Sequence, residues 1–191
     1  MRVIPKLFLI RLFLLLMLSI CSSQVFSQQP KSELSEAEIK QFAQEQFAKM
    51  YKRAMENASL RLADGEAVKA FAVVADRGGE IRLIRIDKIE QMPPNVALEV
   101  MRRSLRVLVG KGNVGATCLV YVAGNPNKEA RAEYVLVAEM EHIFGPTLAQ
   151  LTPYTVQEGK TVFGEPVTVE SEPSIFNFRN KDGERSEAPA E

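Results

Sequence analysis

Residues 68–86 read VKAFAVVADRGGEIRLIRI, in which two runs rich in Val, Ile and Ala flank the four residues Asp76–Gly79. β-Branched side chains favour extended backbone, and paired glycines supply the positive φ angles that a tight turn needs. This stretch therefore predicts a β-hairpin with strands over 68–75 and 80–86. A hairpin needs further strands or helices to bury its apolar face, and the flanking sequence provides both.

A helix is predicted on each side of this hairpin. The first begins at Ser35, which forms a capping-box pattern with Glu38, and ends near Gly65. The second begins at Pro94 and ends at Gly110, because proline suits the first helical turn and glycine ends a helix. Apolar residues recur at three- and four-residue steps in both helices, so each has a face that packs against the sheet. These positions are Ile39, Ala43, Phe47, Met50, Ala54 and Ala58 in the first helix, and Ala97, Met101, Leu105 and Leu108 in the second.

A second hairpin and one or two further strands follow. Strands are predicted over 114–122 and 131–143, because both segments alternate in side-chain character and turn residues join them. Residues 148–154 are predicted to form an edge strand interrupted by Pro153. Residues 161–169 are predicted to form a last strand, whose glycine and proline indicate a bulge or an edge position.

The element order predicts an α+β fold. The order α-β-β-α-β-β, followed by one or two strands, is typical of an antiparallel sheet of four to six strands with two helices, and we expect both helices on one face. These elements occupy residues 35–176, a length that a single domain with its own core can fill. Residues 28–34 are expected to be a flexible lead, and the polar residues 177–191 a disordered tail.

The first 27 residues are typical of an export signal peptide. Three basic residues precede or border the apolar run 12–20, which is shorter than the roughly 20 residues that a membrane-spanning helix needs. The small residue Ser27 suits cleavage between Ser27 and Gln28. The sequence that ends at Cys21 also resembles a lipobox, in which this cysteine is lipidated, although Ile20 stands where that pattern has a small residue.

The export signal predicts where the protein works, and the charge of the chain without it excludes one class of partner. We expect a periplasmic location if the host is bacterial, with a secreted or lipid-anchored protein as the alternatives. The signal contains three of the 24 basic residues and none of the 24 acidic residues, so its removal leaves a mildly acidic chain. Because nucleic-acid binding depends on neutralising phosphates, we exclude nucleic acid as a partner. Membrane contact is expected only if Cys21 is lipidated.

The two cysteines cannot form a disulfide within the exported chain. Cys21 leaves with the signal or is lipidated, so Cys118 stays alone. Cys118 alternates with Ala116 and Val120 on a predicted strand, a pattern typical of a buried and unreactive thiol.

The single histidine of the chain follows two carboxylates. His142 with Glu139 and Glu141 are the catalytic candidates, because a histidine beside a carboxylate can transfer protons. On a strand, however, the two glutamates share one face and His142 points to the other, so we expect no metal site. The pattern favours charged residues on a solvated strand face, with a histidine at the strand end.

Two groups of residues are candidates for a binding surface. Arg102, Arg103 and Arg106 are predicted on the face of the second helix away from its apolar stripe, where they would meet an acidic partner or simply solvent. Tyr154 and Phe163 lie on predicted edge or irregular structure, where they would form a recognition surface or close the open side of the core.

These observations favour a non-enzymatic, exported protein-binding domain whose partner is another envelope or secreted protein. One alternative is an envelope inhibitor or immunity protein that acts against a toxin. The other is a small enzyme that uses His142 with a carboxylate. We expect no cofactor, because the sequence has no nucleophile-elbow or phosphate-loop motif.

Overall fold

The computed structural model describes residues 35–157 and 160–177. The expected signal peptide (1–27), the flexible lead (28–34) and all of the expected tail except Asn177 lie outside the described residues. The elements in chain order are α1 (Glu36–Ala63), β1 (Phe71–Asp76), β2 (Ile81–Ile84), a 3-10 helix (Asp87–Gln91), α2 (Pro94–Gly110), β3 (Val114–Gly124), β4 (Tyr134–His142), β5 (Thr147–Gln157), β6 (Lys160–Phe163) and β7 (Val167–Val169).

Local hydrogen bonds explain where α1 begins and ends. The Ser35 hydroxyl accepts the backbone N–H of Glu38 at 3.3 Å, and the Glu38 carboxylate accepts the backbone N–H of Ser35 at 2.8 Å. This reciprocal capping box satisfies two N–H groups that a helix start would otherwise leave free. Beyond the end of α1, Gly65 adopts a φ of 74°, which glycine does without strain. Both predicted bounds of α1 are confirmed.

The turn between β1 and β2 is held by an aspartate side chain. Asp76 Oδ1 accepts the backbone N–H groups of Gly78 and Glu80, both at 2.9 Å. Gly79 has a φ of 88°, a conformation that favours glycine. The sequence 76–80 therefore makes the tight turn that the first hairpin predicts.

The strands form one antiparallel sheet in the order β2-β1-β3-β4-β5-β6, and β7 also pairs with β5. The predicted α+β class is confirmed. The first hairpin lies at one edge, and the second hairpin forms the middle of the sheet. In the central register, Val73 lies opposite Cys118, which lies opposite Met140. Cys118 is fully buried there, as its alternation predicts.

Strand β5 is not the edge strand that we expected from Pro153. It runs through Pro153 with β4 on one side and β6 and β7 on the other. The Pro153 carbonyl accepts the backbone N–H of Gly164 at 2.8 Å, so the missing N–H of this proline also faces β6 and β7. There the register changes from Tyr154–Phe163 to Leu151–Val167, which inserts one extra residue. This bulge accommodates the proline inside the sheet.

The two helices lie on opposite faces of the sheet, which corrects the expectation that they share one. β1 directs Phe71 and Val73 toward α1, and Ala72 and Val74 toward α2. Successive strand residues point to opposite faces, so a strand that is apolar at every position needs cover on both. None of the described helices combines the length and apolarity needed to cross a membrane.

Candidate functional site

His142 lies at the end of β4 in a cluster of phenylalanines. The residue is 2% exposed, and its ring centroid lies 5.7 Å from that of Phe42, 6.2 Å from that of Phe47 and 5.0 Å from that of Phe144. Its Nδ1 accepts the backbone N–H of Phe144 at 3.2 Å. Phe42 and Phe47 belong to α1, so the ring is on the α1 side of the sheet.

This surrounding keeps the imidazole neutral and isolated. Burial lowers the pKa of His142 below its ordinary value, because a charged ring would lose its hydration. Its Nε2 has no hydrogen-bond partner among the described residues. The described part of the chain also contains no group of three His, Cys, Asp or Glu residues able to hold a metal ion.

Glu139 lies on the opposite face and is engaged by two neighbours. Its carboxylate accepts the Tyr121 hydroxyl at 2.6 Å and the Arg102 guanidinium at 3.0 and 3.1 Å. Burial and the hydrogen bond to Glu139 raise the pKa of Tyr121, so the phenol remains a donor at neutral pH. Arg102 also lies 5.8 Å from the centre of the Tyr121 ring. These contacts join β3, β4 and α2.

Glu141 holds the last described residues of the chain. Its carboxylate accepts the backbone N–H groups of Ser174, Ile175 and Phe176 at 2.7–2.9 Å, together with the Ser174 hydroxyl at 2.9 Å. Glu141 is only 2% exposed, so the expected solvated strand face is wrong at this position. The carboxylate fixes Ile175 and Phe176 in the core on the α2 side.

The three arginines of α2 do not form one outward surface. Arg102 points to Glu139, and Arg106 Nε donates to the Ser174 carbonyl at 2.9 Å. Only Arg103 of the three is exposed. Residues 102 and 106 are one turn apart and next to the buried stripe that includes Met101 and Leu105, which places them at the border of the packed face.

A group of exposed valines marks the other edge of the sheet. Among the described residues, ten large apolar side chains are exposed, and four of them lie in β5, β6 and β7. We call these four residues the edge patch: Val156 (56% exposed), Val162 (53%), Val167 (57%) and Val169 (39%). Tyr154 and Phe163, which the sequence indicated as a surface, lie beside it as a cross-strand pair with ring centroids 6.3 Å apart.

A cavity of about 490 Å³ opens where β3 ends and β4 begins. We call it the end cavity. The sequence did not indicate it, because its walls come from both helices, three strands and the segment 67–70. The lining residues are Leu62, Ala67, Val68, Lys69, Ala70, Pro94, Asn95, Leu98, Tyr121, Val122, Ala123, Gly124, Tyr134 and Tyr154. Three of the four tyrosines of the chain are among them.

No protein-family model, curated protein or solved structure matches this chain.

Proposed function

We propose that this chain is a non-enzymatic, exported binding domain that recognises another exported protein through the edge patch. The observation that carries the proposal is the group of exposed valines in β5, β6 and β7. Exposed apolar side chains that occur singly are ordinary, whereas several on adjacent strands favour a surface that a partner covers.

The sheet register supports a single contact face. Val162 lies opposite Thr155, Val167 opposite Leu151 and Val169 opposite Ala149. Residues that lie directly opposite each other in neighbouring strands point to the same face. Ala149 lies opposite Glu139, which faces α2. Leu151 and Thr155 are an even number of positions from Ala149, so they face α2 as well. Three of the four edge-patch valines therefore present their methyl groups in the same direction.

The same edge favours side-chain contact over strand addition. β6 has four residues and β7 has three, with the bulge and Pro166 between them. Short edge strands, bulges and prolines all hinder the pairing of another strand. We therefore expect the partner to present an apolar helix or loop to the edge patch rather than to extend the sheet.

The isolation of His142 supports a non-enzymatic role. Its ring is enclosed by phenylalanines, whereas Glu139 and Glu141 are on the opposite face of the sheet and have structural partners. Export remains part of the proposal. The signal is cleaved after Ser27, and lipidation at Cys21 is the alternative. An inhibitor or immunity protein is a special case of the same function, and it would be recognised by loss of the partner's toxic activity.

Charge substitution within the edge patch tests this proposal. We expect Val167→Lys to reduce capture of a specific envelope protein roughly tenfold or more, because a buried interface contact is replaced by a hydrated charge. Val107→Lys is the matched control, since Val107 is equally exposed at 57% but lies on α2. Capture is measured by cross-linking the tagged protein in its own envelope, followed by quantitative mass spectrometry.

Equal capture by wild type and Val167→Lys contradicts the proposal, as does equal loss in both variants. Mass measurement of the cross-linked product separates a different protein from a second copy of this chain. A product that contains only this chain would also overturn the proposal.

A further inference from the structure

We propose that the end cavity binds a small molecule that combines an apolar body with one carboxylate. This site goes beyond the proposed protein contact, because none of the edge-patch valines lines the end cavity. The inference rests on how the cavity is formed, on the chemistry of its walls and on the position of one lysine.

The end cavity forms where β3 continues beyond its pairing with β1. Pairing between β1 and β3 begins at Phe71 and Val120, whereas β3 continues to Gly124, so the last four residues of β3 have no paired strand on the β1 side. Leu62 near the end of α1 and Leu98 in the first part of α2 contribute further walls. The space is therefore a product of the main elements of the fold rather than of one loop.

The size and walls of the end cavity suit a small molecule. Its volume of about 490 Å³ lies within the roughly 300–1,000 Å³ of typical ligand sites. Aliphatic walls come from residues such as Leu62, Val68 and Leu98. The recess extends to Val68 and Ala70, which are each only 8% exposed, whereas Tyr134 is 46% exposed. A ligand thus has both a buried end and a route from solvent.

The tyrosines give the walls a fixed shape and polar tips. The hydrogen bond to Glu139 holds the Tyr121 ring in place. Tyr154 and Tyr134 are directly opposite each other on β5 and β4. Burial raises the pKa of Tyr154, and the nearby Tyr134 raises it further. The Tyr154 hydroxyl therefore stays protonated and can donate to an anion. Pre-positioned aromatic walls reduce the entropy lost on binding.

Lys69 supplies the charge that selects an anion. It is the single charged residue in the described lining of the end cavity. Its Nζ donates to the Met92 carbonyl at 3.3 Å, which leaves two of its three donors available. No described carboxylate forms an ion pair with it, and the nearby Glu90 is held on both oxygens by Arg61 at 2.8 Å. A cation in an apolar wall favours one complementary carboxylate.

Tyrosine fluorescence offers a direct binding measurement. The chain contains four tyrosines and no tryptophan, and three of the tyrosines line the end cavity. We would titrate the full exported chain with 4-phenylbutyrate, and use 4-phenylbutanol as the uncharged comparison. We expect a saturable fluorescence change with 4-phenylbutyrate, and roughly tenfold weaker binding of the alcohol, because it lacks the charge-assisted hydrogen bond to Lys69.

Variants separate the charge from the cavity. We expect Lys69→Met to weaken 4-phenylbutyrate binding roughly tenfold, to the level of the alcohol, whereas the exposed control Lys111→Met keeps wild-type affinity. Leu98→Trp fills the cavity and is expected to abolish binding of both compounds, which is measured by isothermal titration calorimetry because the new indole masks tyrosine fluorescence. Val167→Lys is expected to bind both normally, so failure of this inference is distinct from failure of the edge-patch proposal. Urea unfolding of each variant checks that it folds.

Three results would overturn the inference. These are the absence of saturable binding to the wild type, equal loss in Lys69→Met and Lys111→Met, and unchanged binding in a folded Leu98→Trp variant.

Discussion

Glu139, Glu141 and His142 lie within four positions of β4, yet each has a different environment. Strand alternation predicts that the glutamates and the histidine face opposite sides, and the structure places them so. The alternation of side chains along β4 does not predict which segments of the chain cover each face of the sheet. The partners of Glu139 are 18 and 37 positions away in the chain, and those of Glu141 are 33 or more positions away, so the expectation of solvent was wrong for a reason that no local pattern contains.

The buried imidazole of His142 predicts a loss of stability in acid. Burial lowers the pKa of His142 in the folded state below the ordinary value of about 6.5 that holds in the unfolded chain. The unfolded chain thus binds the proton first. The free energy of unfolding should fall as pH drops through about 6.5, and this contribution should stop falling once pH is below the folded-state pKa.

Urea unfolding between pH 7.5 and 4.5 measures this effect. Because the chain has one histidine, His142→Phe removes the contribution while keeping an aromatic ring in the cluster. We expect a flatter pH dependence for His142→Phe than for the wild type. Identical slopes would show that the ring is hydrated in the folded protein.

The Glu141 carboxylate predicts a large stability effect at one buried residue. Glu141→Gln replaces one acceptor oxygen by an NH₂ group that faces backbone donors of residues 174–176. We expect a loss of about 3 kcal/mol in the free energy of unfolding, since buried N–H groups lose a charged acceptor. Glu133→Gln, at an exposed position, should change it by less than about 0.5 kcal/mol.

Hydrogen exchange gives an independent check of this residue. The amides of Ser174, Ile175 and Phe176 should lose protection in Glu141→Gln while those of β3 keep it. Unchanged protection of all three amides would contradict the proposed role of Glu141.

At the scale of the element, helical periodicity predicted the buried stripe of α2 but not the contacts of its arginines. The buried stripe was predicted from spacing, and Ala97, Met101 and Leu105 are fully buried. The neighbouring arginines were placed outward as a group, because helical spacing alone does not separate a long side chain that reaches the sheet from one that stays in water. Arg102 reaches Glu139, whereas Arg103 remains exposed.

These two adjacent arginines make a matched pair for mutation. Arg102→Ala should lower the free energy of unfolding by about 2 kcal/mol, because it leaves Glu139 without its charged partner. Arg103→Ala should change it by less than about 0.5 kcal/mol. Urea denaturation of both variants measures the difference. Similar losses in the two would mean that the pair with Glu139 contributes little.

For the last strands, the sequence indicated the irregularity near Gly164 but not which valines share a face. Gly164 and Pro166 predicted a bulge or an edge position, and the structure has a bulge between β6 and β7. Val162 and Val167 are five positions apart, so regular alternation places them on opposite faces. The extra residue of the bulge brings them to the same face, as their partners Thr155 and Leu151 show. The edge patch therefore depends on a register that sequence spacing does not contain.

At the scale of the whole molecule, the sequence predicted the elements better than their arrangement. Caps, turn residues and alternation predicted both helices and both hairpins. The placement of the helices on opposite faces follows from the burial of Phe71–Ala75 at every position, a signal that was present in the apolar run of β1. The end cavity had no such signal, because it forms only when distant segments meet.

Global unfolding should be the only route by which Cys118 becomes reactive. Cys118 lies in the core on the α1 side, and burial raises the pKa of its thiol to about 12. In a Cys21→Ser variant, we expect the thiol reagent DTNB to react at the rate of global unfolding, with the full rate regained in 6 M guanidinium. Rapid labelling of the native protein would mean that the sheet opens locally at β3.

Site-specific photo-cross-linking tests the central claim most directly. A photoreactive phenylalanine derivative is placed at position 167 in the edge patch and, separately, at the equally exposed position 107 on α2. After irradiation in the native envelope, position 167 should give one dominant adduct with a single other protein, and position 107 should give none with that protein. The same adduct from both positions, or no adduct from position 167, would contradict recognition through the edge patch.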